Sequence, residues 1–155
     1  MKRLFDLFFG VLFLAIFLIP ILFIFFFIKL TSAGPGIHWS ERVGSNKKIF
    51  NMPKFRTMHL KTPDLATHLL KDPESSYITF GKSLRESSLD ELPQLWSIVK
   101  GDMSFVGPRP ALYNQEDLIS LREKKGINKL TPGLTGWAQV NGRDEISIPE
   151  KVNLD

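Results

Sequence analysis

The chain has 155 residues, 43% of them apolar and 23% charged, with a net charge of +4 and no cysteine. That length is about one domain's worth of chain, and mixed charge with recurring apolar residues excludes a disordered protein. The missing cysteine excludes a disulfide framework, a thiolate nucleophile and a thiolate metal site.

The apolar residues are unevenly spread. Positions 7–28 carry no charged or polar side chain, and 19 of these 22 are Leu, Ile, Val or Phe. As a helix this run is about 33 Å long, against a hydrocarbon core of about 30 Å. A cleaved signal peptide has a shorter apolar core and ends in an A-x-A-like site; residues 31–36 read TSAGPG and offer none. Residues 1–30 are therefore expected to form a membrane-inserted helix. Lys2 and Arg3 precede the run, and Lys29 and a basic segment follow it. The positive-inside tendency then places both flanks on the cytoplasmic side. Pro20, near the middle, removes an amide donor and clashes with the preceding turn. Together these features predict a re-entrant helix broken at Pro20; the competing reading is a kinked span.

Residues 31–155 are expected to form the globular domain. Thr31–Ile37 reads as a turn-rich exit from the membrane. Lys48–Met58 reads as short extended pieces broken by Pro53. Thr62-Pro63-Asp64 starts a helix that runs to about Lys71. Ser87–Lys100 reads as a second helix, with Leu89, Leu92, Leu95, Trp96 and Val99 on one stripe. Asn114–Lys125 is a third, closed by Lys124, Lys125 and Gly126. No strand–helix alternation appears, so the expected class is α+β, mainly helical, with little β structure. From Arg42 to Pro63 there are six basic residues and no acidic one. Such a segment suits an anionic lipid surface or a phosphorylated substrate; its few aromatics argue against nucleic acid.

Four stretches carry candidate chemistry. In Ser87–Leu95 (SSLDELPQL), Asp90 and Glu91 are adjacent carboxylates at a helix start, suited to nucleophile-and-partner work or to a hard cation. Ser88-x-x-Glu91 also fits a capping box, which would give the acids a structural role. In Gly101–Pro110 (GDMSFVGPRP), Arg109 stands between two prolines, so its guanidinium is presented rigidly as a phosphate clamp or sits on a plain turn. Lys54-Phe55-Arg56-Thr57-Met58 is basic and close to the membrane exit. In Thr131–Arg143, glycines permit close backbone approach to a ligand, and Gln139, Asn141 and Arg143 are candidates for contact with a base or phosphate. His38, His59 and His68 are scattered without metal-ligand spacing.

In this order KFRTM (54–58), SSLDELPQL (87–95), GDMSFVGPRP (101–110) and PGLTGWAQVNGRD (132–144) resemble the bacterial sugar transferases, over essentially residues 1–149. These are monotopic phosphoglycosyl transferases that start O-antigen, capsule and exopolysaccharide assembly at the cytoplasmic face of the bacterial plasma membrane. The resemblance implies transfer of a sugar-1-phosphate from a UDP-sugar to a polyprenyl phosphate, with release of UMP. It implies a two-step, ping-pong route that uses Mg²⁺, with Asp90 as nucleophile and Glu91 as its partner in metal or proton handling. It also implies phosphate binding by Arg109, Arg85 and Arg56, and a nucleotide-side role for Arg143 with Gln139 and Asn141. The family's membrane helix commonly breaks at Ser-Pro, where this chain has Ile19-Pro20 and no hydroxyl to satisfy freed backbone groups. The family also continues past the Asn-Gly-Arg region, so a C-terminally truncated catalytic domain is a further expectation. Two other classes stay open at this point: an inactive membrane-anchored scaffold, and a peripheral protein that binds lipid through its basic segment.

Overall fold

The structure, a computed structural model, describes residues 1–63, 72, 74–142 and 146–155. The chain opens with α1 (Lys2–Thr31), a run that continues through Pro20 without interruption. The expected break there is thus not a break in the helix: proline forfeits one hydrogen bond, and the turns on either side still hold. By length and composition α1 is long and apolar enough to cross a membrane. Asp6, Gly10, Phe13, Phe17, Ile21, Ile24 and Ile28 recur at three- and four-residue spacing and face the rest of the protein. Gly10 allows the closest approach, since a Cβ there would lie 3.0 Å from Val99 Cγ2. The opposite side leaves Phe8, Ile19 and Phe23 exposed.

Both ends of α1 are tied to the same domain. Lys2 Nζ donates to the Val106 carbonyl at 2.8 Å, and Arg3 donates to the Ile98 and Val99 carbonyls at 2.5 Å each. The buried Asp6 carboxylate accepts from Ser104 Oγ and from the Phe105 backbone N–H, both at 3.1 Å. At the far end Arg56 donates to the Ala33 and Ser32 carbonyls at 2.8 and 3.0 Å. Asp6→Ala leaves a buried hydroxyl and an amide without their acceptor, so it is expected to cost about 1–3 kcal/mol. Thermal unfolding in detergent checks this; an unchanged midpoint would show that the latch carries no stability.

After the exit, β1 (Ile37–Val43) and β2 (Ile49–Phe55) form an antiparallel hairpin, with Ile37 opposite Phe55 and Val43 opposite Ile49. Contrary to the sequence expectation, β2 passes straight through Pro53, which stands opposite Trp39. β2 pairs with no further strand among the described residues, and an edge strand tolerates a missing N–H. Ile24 and Ile28 of α1 pack with Phe55 and Ile78, while Phe50 and Met52 pack with Leu95, Ile98 and Met103.

The stretch expected as one helix over 87–100 is two pieces, preceded by a separate helix. A short α2 (Gly81–Glu86) is followed by a 3₁₀ turn at Leu89–Gln94 and by α3 (Leu95–Lys100). Ser88 is left-handed at φ 59°, and Pro93 cannot continue an α-helical ladder. The expected apolar stripe is broken accordingly, with Leu89 and Trp96 exposed and Leu95 and Ile98 buried. Then come β3 (Ser104–Val106), α4 (Glu116–Lys124), β4 (Gly133–Thr135), α5 (Trp137–Val140) and α6 (Ile148–Leu154). β3 and β4 pair in parallel, Ser104 with Gly133 and Val106 with Thr135. The third expected helix is α4, within two residues of its predicted ends. The helix expected from Thr62 to Lys71 falls, from Asp64 on, outside the described residues.

Candidate active site

The Asp-Glu pair sits on the 3₁₀ turn. Its tighter winding sends neighbouring side chains about 120° apart, and the two carboxylates have different surroundings. The capping box that competes for Glu91 is absent, because left-handed Ser88 makes no side-chain cap bond. Glu91 is instead gripped by cations. Arg109 Nη2 donates to its Oε1 at 2.5 Å, Arg109 Nη1 approaches Oε2 at 3.5 Å, and Lys54 Nζ reaches Oε1 at 3.3 Å. Burial alone would raise the Glu91 pKa, but Lys54 and Arg109 outweigh it and hold the group at about 2. Lys54 is itself pushed down to about 8, chiefly by burial, with Glu91 as the main opposing attraction.

Asp90 is only 4% exposed, and no donor among the described residues hydrogen-bonds its carboxylate. Burial pushes its pKa up, against the pull of Lys54. Adjacent acids whose environments drive them apart have separable jobs. Glu91 is a fixed anion that organises Lys54 and Arg109, and Asp90 is the uncommitted carboxylate.

Arg109 owes its position to backbone carbonyls. Its two flanking prolines have no N–H, and the three carbonyls of Pro108-Arg109-Pro110 are all bonded. Gly133 N–H donates to Pro108 at 2.9 Å, Arg122 Nη1 to Arg109 at 2.8 Å, and Arg42 Nη1 to Pro110 at 3.2 Å. Arg122 is buried and paired with Asp155 at 2.6 Å. The glycines of the Thr131–Gly136 stretch complete this support. A Cβ on Gly133 would stand 2.1 Å from the Gly107 nitrogen, and one on Gly136 2.3 Å from the Gly107 oxygen. The close approach expected at a ligand is thus an approach to the Pro-Arg-Pro loop. Gly133→Ala is expected to abolish soluble, folded protein or to cost more than about 3 kcal/mol, because only backbone can yield. Detergent-extracted yield and melting temperature check it.

Asp90, Lys54, Arg85 and Arg109 line one open cleft of about 670 Å³, with His38, Ser40 and Arg42 from alternate positions of β1. Arg85 comes from the last turn of α2, set by Gly81, where a Cβ would stand 2.1 Å from the Thr57 oxygen. Its Nη1 donates to the Met58 sulfur at 3.2 Å, a weak acceptor that leaves the guanidinium available to an anion. The structure therefore brings together Asp90, Glu91, Arg85 and Arg109 from the sequence reading. Arg56 also lines the cleft, but its guanidinium is spent on the Ser32 and Ala33 carbonyls. Gln139 and Asn141 do not line it; they donate to the Leu134 and Trp137 carbonyls. Arg143 lies outside the described residues. Sequence reasoning grouped Lys54 with a basic patch and passed over its pairing with Glu91. It also missed Asp6 and Arg122. The signal for Lys54 was its place two residues beyond buried Met52 on the same strand face.

A cleft of fixed cations around an uncommitted carboxylate, beside a helix apolar enough for a bilayer, suits anionic substrates. The chain belongs to the bacterial sugar transferase family, whose profile matches residues 1–155. It is 39% identical to the uncharacterized sugar transferase EpsL of Bacillus subtilis, over all of this chain and 75% of that one. It is also 39% identical to the UDP-glucose:undecaprenyl-phosphate glucose-1-phosphate transferase of Caulobacter vibrioides, over 91% of this chain and 54% of that one. With the undecaprenyl-phosphate glucose phosphotransferase of Komagataeibacter xylinus the identity is 38%, over 91% of this chain and 28% of the relative. The chain thus spans three quarters of the first relative and about a half and a quarter of the other two.

Proposed function

We propose that the protein transfers a sugar-1-phosphate from a UDP-sugar to a polyprenyl phosphate at the cytoplasmic face of the membrane. The observation that carries this reading is the division of labour between Asp90, which lines the basic cleft, and Glu91, which holds Lys54 and Arg109. In the first step an Asp90 carboxylate oxygen attacks the sugar-bearing phosphorus. The bond from that phosphorus to the bridging oxygen breaks, UMP leaves with the bond's electrons, and a phosphosugar–aspartate acyl phosphate remains. In the second step an oxygen of the polyprenyl phosphate attacks the same phosphorus and displaces Asp90. Each approach sets an anion against an anion, and Arg85, Arg109 and Lys54 supply the offsetting charge.

Mg²⁺ belongs to this reading. It is held by one or two carboxylates when phosphate oxygens complete its shell. Asp90, which accepts from no donor among the described residues, fits that demand, whereas Glu91 already has its oxygens on Arg109 and Lys54, and no group of three His, Asp or Glu side chains placed to hold a metal exists among the described residues. When bound, the ion would neutralise charge on the diphosphate. The residues' own part is to hold that diphosphate by Arg85 and Arg109 and to keep Asp90 aimed at it.

The placement of α1 supports a re-entrant or in-plane helix, since Lys2, Arg3 and Asp6 at one end and Ser32 and Ala33 at the other bind one domain. A straight span would carry one end away from that domain by the bilayer's thickness.

The test is turnover in detergent or nanodiscs with Mg²⁺, polyprenyl phosphate and a panel of UDP-sugars. The expected result is UMP release matched by glycosylated polyprenyl diphosphate, abolished by EDTA and restored by Mg²⁺. Folded, membrane-extracted protein that turns over no donor would contradict it and favour a scaffold.

A further inference from the structure

One end of the cleft adjoins the exit of α1. His38, Ser40 and Arg42 line its floor along β1, so Arg42 lies about 14 Å from His38 along the strand. Lys54 stands opposite His38, at the end of the hairpin that adjoins the exit of α1. Beyond Lys54 the lining carries Met58, Leu60 and Pro63 beside Arg56, His59 and Thr62, while the Arg42 end carries Arg122 and Lys151 beside Leu118 and Ile148.

At that end exposed apolar side chains continue the surface of the membrane helix. Leu60 is 65% exposed, yet its Cδ1 lies only 3.0 Å from where a Cβ on Gly34 would be, just past α1. Phe80 is 62% exposed, and its ring meets Phe27 of α1 edge-on at 5.3 Å between centroids. Phe80 holds this position with a left-handed backbone, φ 61°, which costs a non-glycine residue energy. The two residues are joined through neighbouring backbone. Ile78 N–H donates to the Thr57 carbonyl and His59 N–H to the Ser76 carbonyl, so segments 57–59 and 76–78 run side by side. An exposed apolar edge that extends an apolar helix, and that leads into a cleft of fixed cations, suits a ligand with a long hydrocarbon tail and a phosphate head.

We propose that Leu60 and Phe80 form the entry for the isoprenoid chain of the lipid acceptor, so that its phosphate reaches Asp90 from the α1 end of the cleft. This deepens the reading given above and rests on it for the identity of the acceptor. The other end of the cleft, where Arg42 and Lys151 lie, is then left to the water-soluble donor.

The test separates tail recognition from catalysis. Equilibrium binding of undecaprenyl phosphate and of neryl phosphate, a two-isoprene analogue, is measured in nanodiscs for the wild type, Leu60→Ser, Phe80→Ser and the conservative Leu60→Met and Phe80→Leu. The expected result is an affinity for the long chain reduced about tenfold in each Ser variant, with neryl phosphate binding unchanged and the conservative variants near wild type. Long-chain affinity that survives both Ser substitutions would overturn the proposal. So would an equal loss for both phosphates, which would place the effect at the phosphate head. UDP-sugar turnover, measured on the same wild-type preparation, identifies which reading fails: a chain-length preference that Leu60 and Phe80 control, in a protein that turns over no UDP-sugar, counts against the proposed transferase chemistry alone.

Discussion

Asp90→Asn is expected to lower sugar-phosphate transfer by at least about 1,000-fold while leaving the protein as stable as the wild type or more so. The amide keeps the shape of the carboxylate but cannot form the phosphosugar acyl phosphate. The stability half of the expectation comes from burial. The Asp90 carboxyl is pushed above its ordinary range by the loss of water around it, so its ionised form costs the folded state free energy at neutral pH. Removing that charge relieves the cost, an ordinary trade between activity and stability at a functional carboxylate. UMP release and the melting temperature, measured on the same preparation, check both halves. A melting temperature lowered by several degrees would mean that Asp90 holds the fold together and is not a poised nucleophile.

Glu91→Gln is expected to lose on both counts. Glu91 and Lys54 each keep only 12% of their side chains exposed, and Arg109 shares the same carboxylate. Taking the charge from Glu91 leaves two cations facing each other with little water, at a cost of about 3 kcal/mol. Lys54 then loses its main attraction and falls below its present value of about 8, so the site sheds part of its positive charge near neutral pH. Arg109 loses the bidentate partner that aims it, and phosphate binding weakens with it. The acid side gives a second signature. In the wild type the Glu91 pKa is about 2, against an ordinary 4.5. Its contribution to stability is therefore complete above about pH 4.5 and drains away as the pH falls towards 2. Unfolding followed from pH 7 down to 3 should show this decline in the wild type and not in Glu91→Gln. Parallel curves would show that the ion pairs do not stabilise the fold.

The contrast between these neighbours shows where the sequence was legible. A contiguous pair such as Asp90-Glu91, and Arg109 between its prolines, can be picked out because their chemistry is local. The same holds for the membrane helix, whose length and composition are properties of one unbroken run, and for α4, which carries its own end signals. What decides the roles of the two acids is not local. Lys54 lies 37 positions from Glu91 and meets it only because β2 packs against the 3₁₀ turn. Arg56 looks like a phosphate ligand beside Lys54, yet its guanidinium closes the exit of α1, two dozen residues upstream. The capping box at Ser88 failed because a left-handed residue sits where the cap requires extended backbone. The glycines of 131–136 signalled a close approach correctly, but spacing alone does not say whether a ligand or the chain's own Gly107 comes close. Asp6 escaped notice since a single acid beside an apolar run looks like a flank, and its partners lie almost a hundred residues away.

The most direct test of the Asp90 mechanism is the intact mass of the detergent-solubilised protein after brief exposure to Mg²⁺ and a UDP-sugar, with polyprenyl phosphate withheld. The account predicts a sugar-phosphate adduct on the wild type, its absence from Asp90→Asn, and its discharge when polyprenyl phosphate is added. An adduct that forms equally on Asp90→Asn, or a wild type that turns over both substrates without ever carrying one, would contradict it.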